Sequence, residues 1–75
     1  MNQDKFIERL ADALELDNND IEMSLDFKEL EEWDSLASLS LIAMLDEEYE
    51  VELESEDLDA LNTVKDLYLF VKSKL

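Results

Sequence analysis

The stretch Asp34-Ser35-Leu36-Ala37-Ser38-Leu39-Ser40-Leu41-Ile42-Ala43-Met44-Leu45-Asp46-Glu47-Glu48-Tyr49 decides how this chain is read. Asp34 and Ser35 are both strong helix N-caps, and a helix is predicted from one of them to about Tyr49. At about 100° per residue, Ser38, Leu41, Ile42, Leu45 and Tyr49 point one way and form the core face. Leu36, Ser40, Ala43, Met44 and Glu47 point the other way. Leu36 and Met44 are apolar where a solvated face would be polar.

Upstream, Phe6, Ile7, Leu10, Ala11 and Leu14 recur at helical spacing and predict a first helix from about Gln3 to Leu16. The turn formers Asp17-Asn18-Asn19-Asp20 break it. A long connection follows to about Asp34, carrying Ile21, Met23, Leu25, Phe27 and Leu30, with one helical turn expected at Asp26 to Glu31. Downstream, Val51-Glu52-Leu53-Glu54 alternates but has no partner strand, so it reads as extended loop. Ser55 is expected to cap a short helix from Glu56 to Leu61, with Leu58 and Leu61 inward, and Asn62 is a plausible stop. Thr63 caps a last helix, with Asp66 in its third position making an imperfect capping box. Its stripe is Val64, Leu67, Tyr68, Val71 and Leu75, and Lys72 and Lys74 complement the helix dipole at its end. The expected fold is all-α: a small four-helix bundle of three main helices and one short one. A long loop joins helices one and two, and residues 1–75 form a single domain.

Composition narrows the function. The chain has 75 residues with no Gly, Pro, Cys or His. Gly and Pro at zero remove the favoured hairpin turns and favour helices. Without Cys or His there is no disulfide, no His/Cys zinc site, no thiol nucleophile and no Ser-His-Asp triad. The apolar share of 47% argues against a disordered acidic tail. No apolar run approaches the ~20 residues that span a bilayer, and the N-terminus lacks the apolar core of a signal peptide. A cytoplasmic, non-catalytic protein is expected.

Asp and Glu number 22 against 6 Lys and Arg, a net charge of −16. That disfavours nucleic acid and anionic membranes and favours basic partner surfaces. Between Lys28 and Lys65 lie thirteen acids and no base, nine of them from Asp46 to Asp59. One reading is a solvated acidic face; the other is selection for a basic partner, since such a run repels itself. Within it, Ser35 places a hydroxyl at a helix N-terminus, where free N–H groups and the dipole favour a phosphate. A plain capping role for Ser35 is the competing reading. With no His or Cys to act as base, Ser35 is a poor nucleophile by itself, but a second enzyme can modify it.

Four segments carry a resemblance: Asp34-Ser35-Leu36, Leu45-Asp46-Glu47-Glu48-Tyr49, Val51-Glu52-Leu53 and Thr63-Val64-Lys65-Asp66. Their order and spacing resemble the acyl carrier protein family over the whole chain, most strongly from Phe27 to Phe70. The resemblance implies that Ser35 carries 4′-phosphopantetheine as a phosphodiester, flanked by Asp34 and Leu36. The arm's thiol would hold acyl groups as thioesters and pass them between enzymes. Leu41, Ile42, Leu45, Leu58, Leu61 and Val64 would shelter the acyl chain or simply form core. Asp34, Asp46, Glu47 and Leu53 match the family's partner-contact positions, and Leu36, Leu39 and Met44 match by apolar character. Expected partners are a phosphopantetheinyl transferase and acyl-loading, elongating or transferring enzymes with basic docking surfaces. The carrier itself is expected to be monomeric.

Three departures refine this expectation. Glu32 and Trp33 stand where the family has Gly, and Trp33 is expected to pack the loop onto the bundle. Ala37 and Ser40 replace acids found in fatty-acid carriers, which points to a specialised acyl pathway. The motif of peptidyl carriers is absent, while a D-alanyl or aminoacyl carrier stays open. So does an unmodified acidic interaction module. Asp17-Asn18-Asn19-Asp20 is not an EF-hand start, since Ile21 and Glu22 stand where a ligand and Gly belong and Lys28 where the bidentate Glu belongs. No metal site is expected.

Overall fold

The apolar stripes become four α-helices in the computed structural model, which describes residues 2–75. They are α1 (Gln3–Leu14), α2 (Ser35–Tyr49), α3 (Ser55–Ala60) and α4 (Val64–Lys74), with single 3₁₀ turns at Asn18–Asp20 and Phe27–Glu29. Met1, the first residue of the expected domain, lies outside the described residues. Among these, no strand longer than an isolated bridge is present. Three longer helices and one short one match the expected bundle.

One apolar cluster joins all four helices. Phe6, Leu10, Ala11 and Leu14 come from α1, Leu41, Met44 and Leu45 from α2, Leu58 from α3, and Val64, Leu67, Tyr68 and Val71 from α4. Ile21, Phe27, Val51 and Leu53 join it from the connections. Among the described residues, none with a charged or polar side chain is buried outside this apolar set. Phe6 packs edge-on to Tyr68, with ring centroids 5.5 Å apart. Each fully buried Leu or Phe contributes about 1.5–3 kcal/mol relative to exposure.

The long loop is fastened by backbone. The Val64 N–H donates to the Leu25 carbonyl at 2.9 Å and the Lys65 N–H to the Met23 carbonyl at 2.8 Å. The next N–H, of Asp66, donates to Thr63 Oγ1 at 3.1 Å. Donors that a helix start leaves without intrahelical partners thus hold the loop. The bond from the Thr63 N–H to the Asp66 carboxylate at 3.1 Å completes the expected capping box.

Helix ends depart from the expected boundaries. α1 stops at Leu14 because Glu15 turns left-handed at φ 59°, and the Leu16 N–H closes back on the Ala11 carbonyl at 2.8 Å. α2 ends the same way at Glu50, φ 56°. Gly ordinarily takes this position; with no Gly in the chain, Glu occupies both. α3 starts one residue early, at Ser55, so Ser55 is not its cap; Asp57 Oδ2 instead accepts the Glu54 N–H at 3.2 Å. α4 ends at Lys74, which leaves Leu75 exposed rather than on the stripe.

Candidate functional site

The N-terminus of α2 is built by Asp34. Its backbone is extended, and its Oδ1 accepts the Ala37 N–H at 2.8 Å. Asp34 is therefore the cap, and Ser35 is the first helical residue, exposed to solvent. Its hydroxyl is not spent on capping. Ser38 Oγ donates to the Ser35 carbonyl at 2.8 Å, which braces the first turn. The Ser35 and Leu36 N–H groups belong to the turn that lacks intrahelical acceptors, so the dipole and these donors favour an anion beside the Ser35 side chain.

What precedes the serine fixes its place. Trp33 is half-buried and meets Phe27 edge-on, with ring centroids 5.0 Å apart. The Trp33 N–H closes a turn on the Leu30 carbonyl at 3.0 Å. Trp33 thus packs the loop against the core, as expected of the residue standing where a Gly was wanted.

A surface cleft of about 380 Å³ opens beside Ser35 and is lined by Lys28, Trp33, Ser38, Ser55, Leu58 and Asp59 together with Asp34 and Ser35. Lys28 Nζ donates to the Asp59 carbonyl at 3.2 Å across its floor. In the sequence, Lys28, Ser55 and Asp59 have other places, as the edge of the acidic interval, a helix cap and the end of the acid run, and nothing there brings them to Ser35. No local pattern marks them, because the Lys28–Asp59 bond spans 31 residues. A phosphodiester fits this setting: an exposed hydroxyl, a helix N-terminus and one ammonium.

The outer part of α2 divides the expected contact residues. Leu36 is 74% exposed and Leu39 61% exposed, and Asp46 and Glu47 are also exposed. Met44 and Leu53 are not on an open face: they are 8% and 2% exposed and belong to the core cluster. Met44 is covered because α1 lies over that side of α2, sharing a groove lined by Arg9, Asp12 and Ala13. Leu53 turns inward where the segment after α2 folds back, and it floors a second groove with Leu39, Ile42, Ala43 and Asp46. Of the expected inner-face residues, Leu41, Leu45, Leu58 and Val64 are buried, while Ile42 and Leu61 are partly so. α2 therefore carries apolar residues on both its core side and its solvent side, which fits a helix with a second apolar partner.

Among the described residues, no helix is long and apolar enough to cross a membrane. The chain matches a family model described as the phosphopantetheine attachment site over residues 4–71. It is 35% identical over 79 aligned positions to an acyl carrier protein of Thermosynechococcus vestitus, covering all of this chain and 98% of that one. It is 31% identical over 75 positions to polyketide-8 synthase acyl carrier protein 2 of Streptomyces avermitilis, covering all of this chain and 86% of the other. It is also 31% identical over 68 positions to an acyl carrier protein of Phytoplasma mali, with 91% of this chain and 81% of the relative covered.

Proposed function

Since the chain belongs to the phosphopantetheine-bearing acyl carrier protein family, we propose that residues 1–75 form one discrete carrier domain in which Ser35 is the attachment residue. The observation that carries this is the division of labour at the start of α2: Asp34 supplies the cap, and Ser35 presents an exposed hydroxyl above a cleft. When bound, the group supplies a terminal thiol that holds an acyl chain as a thioester. The protein's own residues position and protect. Asp34 and the Ser38–Ser35 bond keep the attachment turn rigid. Leu41, Leu45, Leu58 and Val64 form an apolar interior beneath it that can shelter a chain.

Docking falls to Leu36, Leu39, Asp46 and Glu47, with Met44 and Leu53 as the floors of the adjoining grooves. Their apolar and acidic character fits partner enzymes that present an apolar spot ringed by Arg and Lys. Such partners are a phosphopantetheinyl transferase and acyl-loading, elongating or transferring enzymes. The chain supplies no catalytic group of its own and acts as a monomer in the cytoplasm. Ala37 and Ser40, in place of the acids of fatty-acid carriers, favour a specialised acyl or polyketide-like pathway, and one relative is named as a polyketide synthase carrier. A D-alanyl or aminoacyl cargo would use the same serine.

Intact-mass spectrometry tests the reading. After incubation with coenzyme A and a phosphopantetheinyl transferase, the protein is expected to gain one phosphopantetheine, and Ser35→Ala to gain none. No gain by the wild type with any of several transferases would leave an unmodified acidic interaction module as the better account.

A further inference from the structure

We propose that Lys28 is a positioning residue for the phosphodiester on Ser35, tying the arm's origin to the groove between α2 and α3. This rests on the carrier reading above.

The inference starts from charge. Among the described residues, the cleft beside Ser35 is lined by two acids, Asp34 and Asp59, and by one base, Lys28. A phosphodiester adds a further negative charge there. It would sit against two acids, within a run from Lys28 to Lys65 that contains no other base. At short range, like charges near a protein surface repel appreciably, and one ammonium in the same cleft offsets that repulsion. Among the described residues, no second base lines that cleft.

Geometry supports the charge argument. Lys28 lies in the 3₁₀ turn Phe27–Glu29, whose start is held by Asp26: Oδ1 accepts the Lys28 N–H at 3.1 Å. Phe27 beside it is fully buried. The side chain thus leaves from a fixed backbone. Its Nζ is anchored on the Asp59 carbonyl at 3.2 Å, near the C-terminal end of α3, where the helix dipole favours a cation. An ammonium carries more N–H donors than that one bond uses. Lys28 and Ser35 line the same cleft, so those donors are available to a group attached there. Lys28 therefore links three parts: the loop, the end of α3 and the attachment point.

The test compares apo and modified protein, each as wild type, Lys28→Met and Lys28→Arg. Met keeps the aliphatic stem and removes the charge. Melting temperature is measured for each form, and the ³¹P NMR resonance of the attached phosphodiester for the modified forms. Lys28→Met is expected to lower the melting temperature of the modified protein by about 3 °C or more beyond its effect on the apo protein. It is also expected to shift the ³¹P resonance, with Lys28→Arg restoring most of both. Equal losses in apo and modified protein, with the ³¹P resonance unmoved, would reduce Lys28 to a structural tie and overturn the proposal. If the wild type takes no phosphopantetheine in the mass measurement, the carrier reading falls and this proposal falls with it. Modification with equal losses sinks the Lys28 role alone.

Discussion

The indole of Trp33 stands edge-on to the ring of Phe27, with centroids 5.0 Å apart and planes at 69°. The pair is the joint between the long loop and the attachment turn. Phe27 is buried beside Lys28, and Trp33 is half-buried beside Asp34. One contact therefore joins the turn that carries Lys28 to the approach to Ser35.

Truncating this joint should separate folding from presentation. Phe27→Ala removes a fully buried ring, and such changes cost about 3–5 kcal/mol. A domain of this size holds only about 4–11 kcal/mol in total, so the variant is expected to be largely destabilised in a urea melt followed by circular dichroism. Trp33→Ala should cost less, about 1–2 kcal/mol, because the indole is only partly buried. It should stay folded but accept phosphopantetheine more slowly. A Trp33→Ala protein as stable and as readily modified as wild type would contradict the joint.

Both left-handed helix ends carry Glu, at Glu15 and Glu50. A residue with a Cβ pays about 1 kcal/mol for this conformation, and Gly does not. Glu15→Gly and Glu50→Gly are each expected to stabilise the protein by about 0.5–1 kcal/mol in chemical denaturation, despite the extra backbone freedom of Gly when unfolded. Each also removes one negative charge from an acidic chain. A Glu→Gln control at the same positions isolates the backbone effect, and a gain no larger than that of Gln would disprove it.

Leu36 and Leu39 are exposed on α2, whereas Leu41 is fully buried. Leu36→Ala and Leu39→Ala should each change stability by about 0.5 kcal/mol or less while slowing modification by a transferase several-fold. Leu41→Ala should cost about 2–5 kcal/mol. If the exposed pair proves neutral for every partner enzyme tried, the docking face lies elsewhere.

Tyr49 has a different problem. Its hydroxyl is buried without a hydrogen-bond partner, although its ring packs 6.0 Å from Phe6 and lies under the Arg9 guanidinium at 5.3 Å. A buried polar atom without a partner costs about 1–3 kcal/mol. Tyr49→Phe keeps the ring contacts and removes the orphan, so it is expected to raise the melting midpoint. A loss of stability on this change would mean that the hydroxyl is satisfied in solution.

Much of the molecule is legible from residue order, and the exceptions share a cause. Helical spacing finds α1, α2 and α4, and the pair Thr63 and Asp66 announces its capping box, because those signals are local. The burial of Met44 escapes angle counting on one helix, which cannot see the second helix covering its flank, and that of Leu53 escapes because the segment after α2 folds back. The start of α3 at Ser55 escapes because Asp57 reaches back to the Glu54 N–H, which makes Glu54 the boundary although Ser is the better cap by type. The Lys28–Asp59 bond is set by tertiary packing, so nothing near either residue foretells it. At the site, the serine and its cap are local and readable, while the cation beside them is not.

Asp66 gives the clearest dependence on pH. Backbone N–H groups of Thr63 and Asn62 donate to its carboxylate, and these bonds, helped by the Thr63 hydroxyl and the nearby Lys65 charge, hold its pKa below the ordinary 3.8. A carboxylate depressed in the folded state stabilises that state above its unfolded pKa, and the stabilisation is lost as pH falls through the folded value. Asp66→Asn keeps an acceptor but removes the charge. The stability gap between wild type and Asp66→Asn is thus expected to be constant near neutrality and to close as pH drops below about 4. A gap that stayed constant down to the lowest pH at which both remain folded would rule out the capping charge as its source.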